Sequence, residues 1–451
     1  MKKWLSSMVL LSLVAVIMTS CTNQQGSNTS STSKIKILYY DKEAFFEEYG
    51  NFLSIQYPNM EFEVISTKDI DYASESDSNV VYEKFIEKER PDIVTIQADQ
   101  YQQLVHDGYL ASLDQYIEKD KYNLDTVHPA ITSLLRELGD GKLYGLSPKF
   151  YYQALFYNID LFKQNGVEPP SNSMSWEQVL TLAKRFSSNN NSTDRVYGLG
   201  IDDLDTNNIA VNLADKIAFT QNLNDVNLKA KQVTANTEGW KNIWKLVLQA
   251  TGSNVICDRA STLTMGSAEQ LLEMKPFLTG KIAMTLDDSY LFEYIKQAKQ
   301  NIKDFKELNY GIVTAPVDPA NPDMTREIRL EEIFAIRNGS DHSDLAWDII
   351  KLINSEDYAK AKSHSMNGSL LSRTGYYNDI KNIEAFYTLR PIAADYYKNE
   401  KYTDFYQQFD RVKKEEIGLV EAKKASIDDA VAAIQSKGQA LLNQALKRTK
   451  D

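Results

Sequence analysis

At 451 residues, 43% hydrophobic and 25% charged with only 11 Pro and 19 Gly, the chain is too long for one core of ordinary size, and its composition excludes a disordered, collagen-like or coiled-coil protein. Its 62 acidic against 50 basic residues leave a net charge of −12, which argues against affinity won by neutralising phosphates, so nucleic acid is not an expected partner. Two cysteines and four scattered histidines argue against a disulfide scaffold and against cysteine- or histidine-rich metal sites, and no metal or cofactor is expected.

Lys2 and Lys3 precede a mostly apolar run over 4–18 that ends in Thr19-Ser20-Cys21, the layout of a secretory signal. The run is shorter than the roughly 20 residues of a spanning helix and is interrupted by Ser6, Ser7 and Ser12, so cleavage after residue 20 is expected. Residues 22–33 are all Thr, Asn, Gln, Gly or Ser, an uncharged tract that cannot repay the entropy of ordering and reads as a flexible tether. The folded body is expected from residue 34. The residues around the cut resemble a bacterial lipoprotein signal, with Met18 where Leu or Val is usual, which implies that Cys21 becomes a lipid-carrying N-terminus. Cys257 then has no partner and reads as a small, half-buried hydrophobe.

Ile35, Ile37 and Tyr39 alternate with Lys34, Lys36 and Leu38 as in a strand, and from Asp41 the spacing of Phe45, Tyr49, Phe52 and Leu53 predicts a helix. Phe62, Val64 and Ile65 predict a second strand, a helix follows around 81–87, and residues 92–96 predict a third strand. This alternation predicts a wound, mostly parallel α/β sheet. Helical spacing returns at Val127, Ile131, Leu134, Leu135 and Leu138, ahead of a short strand over 143–146. A second wound region follows, with strands over 153–157 and 196–201, a helix capped by Ser175 with Gln178 three residues on, and an amphipathic helix whose Trp240 and Trp244 share a core face. Strands over 282–285 and 310–313, a helix over 345–353 and a long terminal helix through Ile427, Val431, Ile434 and Leu442 complete the reading. In such sheets ligands sit beyond the carboxyl ends of strands, which singles out the loops at Tyr40 and Asp41 and at Asp99, Gln100 and Tyr101.

The sequence holds no Gly-rich phosphate loop ending in Lys-Ser or Lys-Thr, no His-Glu-x-x-His pair and no Gly-x-Ser-x-Gly elbow. A glycosidase needs only two carboxylates, but Asp287 with Asp288, or Glu331 with Glu332, are neighbours on a strand and point to opposite faces. Chemistry on a bond is therefore not expected.

Several segments carry a resemblance. Pro91-Asp92-Ile93-Val94, Asp107-Gly108-Tyr109-Leu110-Ala111, Tyr144-Gly145-Leu146-Ser147-Pro148, the run from Leu155 to Phe162, Gly166-Val167-Glu168-Pro169-Pro170 followed by Ser175-Trp176-Glu177, Gly280-Lys281-Ile282-Ala283-Met284, Tyr310-Gly311 and Ala346-Trp347 follow in order and spacing. Together they resemble bacterial extracellular solute-binding proteins of the carbohydrate type, the maltose-binding-protein-like capture subunits of ABC importers. The resemblance implies a two-lobed α/β fold with three hinge crossings, near 147–152, 308–310 and 368–374. Lobe 1 would be 34–147 with 312–368, and lobe 2 would be 150–307 with 375–451. It implies a lipid-anchored protein at the outer face of the cell membrane that captures a mono- or oligosaccharide by hinge closure and hands it to ABC permease subunits. Sugar rings offer apolar faces and polar edges, so tyrosines beside carboxylates and amides are the binding candidates: Tyr40, Asp41, Asp99, Gln100, Tyr101, Phe150, Tyr151, Tyr152, Asp287, Asp288, Tyr290, Glu331, Glu332 and Arg373. Where many relatives carry a tryptophan after the Gly-Lys-x-Ala-Met strand, this chain has Asp287-Asp288-Ser289-Tyr290. That wealth of carboxylate leaves a peptide or cationic solute as a second reading, with a surface glycosidase and a non-closing scaffold behind it.

Overall fold

The computed structural model describes residues 33–72, 78–186, 195–202, 208–253, 255–257, 275–303, 305–364, 368–377, 380–392 and 402–448. The expected signal, Cys21 and the tether up to residue 32 lie outside them; the first strand begins at Ser33, inside the expected tether.

Two sheets organise the chain. The first runs in the order Met60–Ser66, Ser33–Tyr39, Ile93–Ile96, Ile333–Ile336, Gly145–Leu146. Its inner strands bury both faces, since Ile35, Ile37, Leu38, Ile93, Val94 and all of Ile333–Ile336 are without exposure, and unbroken apolar runs of this kind suit a sheet covered by helices on both sides. The second sheet runs Tyr310–Thr314, Ala154–Asn158, Ile282–Asp287, Tyr197–Ile201, and Ile282–Asp287 is buried along its whole length.

Both sheets are mixed, whereas the sequence predicts mostly parallel ones. The first strand pairs in parallel with Met60–Ser66 and Ile93–Ile96, but Ile333–Ile336 runs antiparallel to both of its neighbours. In the second sheet Ala154–Asn158 is antiparallel to both neighbours, and Ile282–Asp287 is parallel to Tyr197–Ile201. In each case the reversed strand is the one that enters directly from the other half of the molecule, with no crossover helix to turn it around.

A boundary also moves. Tyr310–Thr314 pairs with Ala154–Asn158 from Tyr310 opposite Asn158 to Thr314 opposite Ala154, so it belongs to the second sheet and not to the first lobe. The chain regains the first sheet only at Ile333, which places this passage at residues 315–332 in place of 308–310.

The passages between the halves are knitted together. Lys149–Phe150 pairs antiparallel with Leu370–Leu371, while Tyr151 and Arg329 exchange two main-chain hydrogen bonds of 2.9 Å. Lys149–Tyr151 is thus the middle strand of a three-stranded ribbon that joins all three crossings.

Helix ends follow their chemistry. Pro129–Leu138 starts later than its apolar spacing predicts because Pro129 sits in the first turn and the His128 ring accepts from Ala130 N at 3.1 Å. Ser175 and Gln178 form the expected capping box. Trp240 and Trp244 are 2% and 1% exposed, core residues as their spacing predicts. The C-terminal part is a helical hairpin, Thr403–Glu421 and Ile427–Arg448, docked on the second half; its first arm is absent from the sequence reading.

Candidate functional site

A cleft of about 1140 Å³ opens at the carboxyl ends of the first sheet's strands. Tyr39 and Tyr40 come from the end of the first strand, Thr67 and Lys68 follow the end of the second, and Ile96, Gln97, Asp99 and Gln100 follow the third. Glu331 and Glu332 enter from the passage that leads into Ile333–Ile336. Thr403, the first residue of the helical hairpin, also lines it.

Two aromatic rings at the cleft are exposed. Tyr40 is 63% exposed, with Lys68 Nζ 4.7 Å from its ring centre, and Tyr72 is 45% exposed. Around them stand the carboxylates of Asp99, Glu331 and Glu332 and the amides of Asn79, Gln97 and Gln100. Ring faces beside acceptors of this kind suit a ligand with apolar C–H faces and hydroxyl edges.

Of the residues singled out in the sequence, Tyr40, Asp99, Gln100, Glu331 and Glu332 line this cleft. Tyr151 is half-buried beside it; burial and then the charge of Glu332 raise its hydroxyl. Glu332 is not a free acceptor, because Tyr39 Oη donates to its Oε1 at 3.1 Å, Tyr49 Oη donates to Oε2, and Lys149 Nζ lies 3.0 Å from Oε1.

Other candidates are engaged elsewhere, each for a local reason. Asp41 caps the helix Lys42–Phe45 by accepting from Ala44 N at 3.0 Å, and it pairs with Lys68 at 2.8 Å. Tyr101 has no exposure; its hydroxyl donates to Leu135 O and accepts from Tyr144 N, pinning a helix inside the first half. Phe150 is fully buried against His128 and Tyr387, and Tyr152 is 2% exposed against Phe386. Arg373, 4% exposed, donates to Asn354 O at 2.6 Å, Tyr122 Oη at 2.8 Å, Asn123 O at 3.2 Å and Thr126 Oγ1, so its guanidinium is spent inside the protein.

Asp287, Asp288 and Tyr290 stand at the end of a strand of the second sheet and are not among the residues that line this cleft. Asp287 is 2% exposed; burial, and then Asp202, hold its carboxyl well above the ordinary carboxylate range. Burial raises Asp288 too. Lys275 is the cation among them: burial works against its charge, but Asp287 at 3.8 Å and Asp202 outweigh that and raise it. Tyr290 lays its ring on Gly368, where any Cβ would come within 1.7 Å of Cε2 and where φ is +75°.

The sequence reading passes over Lys68, Tyr72, Asn79 and Thr403. Lys68 was findable, since the rule that selects strand ends applies equally to the second strand. Thr403 carries no signal, because a lone threonine opening a helix has nothing to mark it as facing a cleft. Among the described residues no group of three or more His, Cys, Asp or Glu could hold a metal ion, and no helix is long and apolar enough to cross a membrane.

Comparison with known proteins extends this picture. A family model described as bacterial extracellular solute-binding protein matches residues 78–386. A binding protein of Brucella abortus (strain 2308) is 23% identical over 295 residues, 64% of this chain and 65% of the relative, so the match spans somewhat under two thirds of that protein. The arabinooligosaccharide-binding protein of Bacillus subtilis is 26% identical over 166 residues, 36% of this chain and 37% of the relative. Among solved structures, the sugar-binding protein MalE of Xanthomonas citri is similar with a TM-score of 0.64 at 15% identity, covering 93% of this chain and 100% of its own.

Proposed function

Because the chain belongs to the bacterial extracellular solute-binding proteins, we propose that it is the lipid-anchored capture subunit of an ABC importer, taking a carbohydrate between its two halves and passing it unchanged to a membrane permease. The observation that carries this is the open cleft at the strand ends, where the exposed rings of Tyr40 and Tyr72 stand among carboxylate and amide acceptors. The relatives named for arabinooligosaccharides and for sugars support a carbohydrate.

Nothing in this function breaks a bond. An open and a closed form interconvert by bending, and a solute that touches both walls favours the closed one by its differential affinity. The ribbon formed by Lys149–Tyr151 with Leu370–Leu371 and Arg329 is the pivot. One lobe is 33–146 with 333–364, and the other is 154–314 with 402–448. The solute stacks on Tyr40, Asp99, Gln100 and Glu331 accept from its hydroxyls, and closure brings Tyr290 and Asp288 onto its other face. Lipid on Cys21 keeps the protein at the outer face of the membrane within reach of the permease.

Titration calorimetry with arabinotriose, maltose, maltotriose and glucose tests the carbohydrate reading. At least one of these is expected to bind with 1:1 stoichiometry, and silence from all of them, extended to a broad sugar panel, would overturn it. Replacing Cys21 with Ser is expected to move the protein from the membrane fraction into the medium.

A second reading keeps the fold and changes the cargo to a cationic solute or peptide. It is favoured by one observation: the cleft is lined by the carboxylates of Asp99, Glu331 and Glu332, with Lys68 as the cation in its lining and Lys149 behind Glu332. Binding of this kind weakens steeply with salt, whereas capture of a neutral sugar does not.

A further inference from the structure

Lys149 occupies the middle strand of the hinge ribbon, and its side chain is only 13% exposed. Its ammonium has two carboxylates in reach, Glu332 Oε1 at 3.0 Å and Glu48 Oε1 at 3.8 Å. Each carboxylate is held from behind by tyrosine: Tyr39 and Tyr49 donate to Glu332, and Tyr358 donates to Glu48 at 2.8 Å. Glu48 and Tyr49 come from one π-helical turn, Phe46–Gly50, an irregularity of the kind that recurs at functional positions. Lys362 Nζ, 3.3 Å from Glu48, balances the second carboxylate. A small cavity of about 20 Å³, room for one water, touches Glu48, Lys149, Ser369 and Leu371, so the lysine has space to move.

Only Glu332 among these charges also lines the cleft. Its Oε1 already accepts from Tyr39 and faces Lys149, and a carboxylate oxygen has two lone pairs. A third donor that approaches Oε1 must therefore displace one of the two. Tyr39 is 5% exposed and locked among Phe45, Tyr49 and Phe334, so the flexible lysine is the donor that yields.

We propose that Lys149 is a positioning residue that reports occupation of the cleft to the hinge by changing partners: when a solute hydroxyl draws on Glu332, Lys149 leaves it for Glu48 and the middle strand of the ribbon turns with it. This rests on the reading of the cleft as the solute site. With Glu332 at 3.0 Å and Glu48 at 3.8 Å, the lysine can shift from one partner toward the other, and such a shift lets a small change at one oxygen bias a hinge.

The proposal is testable without any solute. Glu332→Gln removes the first seat and keeps the side chain's shape, so it mimics occupation. Small-angle scattering on the unliganded protein should show a smaller radius of gyration for Glu332→Gln than for the wild type. The double variant Glu332→Gln with Glu48→Gln, which removes both seats but leaves an acceptor for Tyr358, should lose that compaction. Lys149→Met asks the same question without touching either carboxylate: adding Glu332→Gln to it should produce no further compaction. A Glu332→Gln curve identical to the wild type, compaction that survives loss of Glu48, or compaction that survives loss of Lys149 would each overturn the proposal. The sugar titrations do not enter these measurements, so failure of the carbohydrate reading and failure of the hinge relay are seen separately.

Discussion

Lys413 is 4% exposed and meets both oxygens of Asp215 at 3.0 and 2.9 Å, Asp225 Oδ2 at 3.1 Å and Asp410 Oδ1 at 2.9 Å. Replacing it with Met leaves three carboxylates facing one another, and such a break costs about 3 kcal/mol, measurable by guanidinium denaturation. Asp215 gives a pH signature. Burial, with Asp225 and Asp410 beside it and against the pull of Lys413, raises its carboxyl from 3.8 to about 6. The folded protein then holds this proton more tightly than the unfolded chain does, so the group costs stability above about pH 6 and the cost is relieved as pH falls toward 4. Wild type should gain stability between pH 7 and pH 5 relative to Asp215→Asn; with a side chain 40% exposed, solvent screening keeps the difference below about 1 kcal/mol. Arg373→Lys should cost about 2 kcal/mol through lost buried hydrogen bonds, while sugar affinity of the folded protein stays unchanged, as befits a guanidinium that does not reach the cleft. Tyr40→Ala, in contrast, should weaken sugar binding about fivefold and leave stability untouched. At this scale the site was half legible. Strand-end position brings Tyr40, Asp99 and Gln100 to the cleft, but residue type alone cannot separate an exposed Tyr40 from a buried Tyr101, because both follow a strand end and only packing decides which ring turns inward.

The same contrast holds between elements. Apolar alternation and capping located the strands of the two sheets apart from Ile333–Ile336, and the helix that opens at Ser175, because those signals are local. Which sheet a strand joins is not local: Tyr310–Thr314 reads equally well in either half, and only its pairing with Ala154–Asn158 assigns it. Strand direction was lost for the same reason, since hydrophobic pattern carries no polarity. The helical hairpin shows how close packing settles what pattern leaves open. Gly438 lies under Phe409, and an added Cβ would sit 2.3 Å from Cε2 of a ring that has no exposure and cannot swing away. Gly438→Ala is therefore expected to destabilise by about 2 kcal/mol despite better helix propensity, whereas Gly418→Ala, where nothing lies within 4 Å, should stabilise by about 0.5 kcal/mol. Thermal unfolding of the two variants checks the opposite signs.

On the scale of the whole molecule the prediction concerns shape. A sugar that titrates should reduce the radius of gyration, and its affinity should change little between 50 mM and 500 mM salt, while a cationic solute drawn by the acidic walls should lose affinity over that range. The ribbon that unites the crossings carries a further consequence, for the order of folding. The first sheet cannot close until Ile333–Ile336 arrives between Ile93–Ile96 and Gly145–Leu146, yet every strand of the second sheet precedes it along the chain. As the polypeptide emerges from the ribosome, its amino-terminal third must therefore wait, unfinished, for a strand made after the whole of the second sheet. A chain so arranged carries an incomplete leading sheet for most of its synthesis, with one edge of Ile93–Ile96 left waiting for its partner.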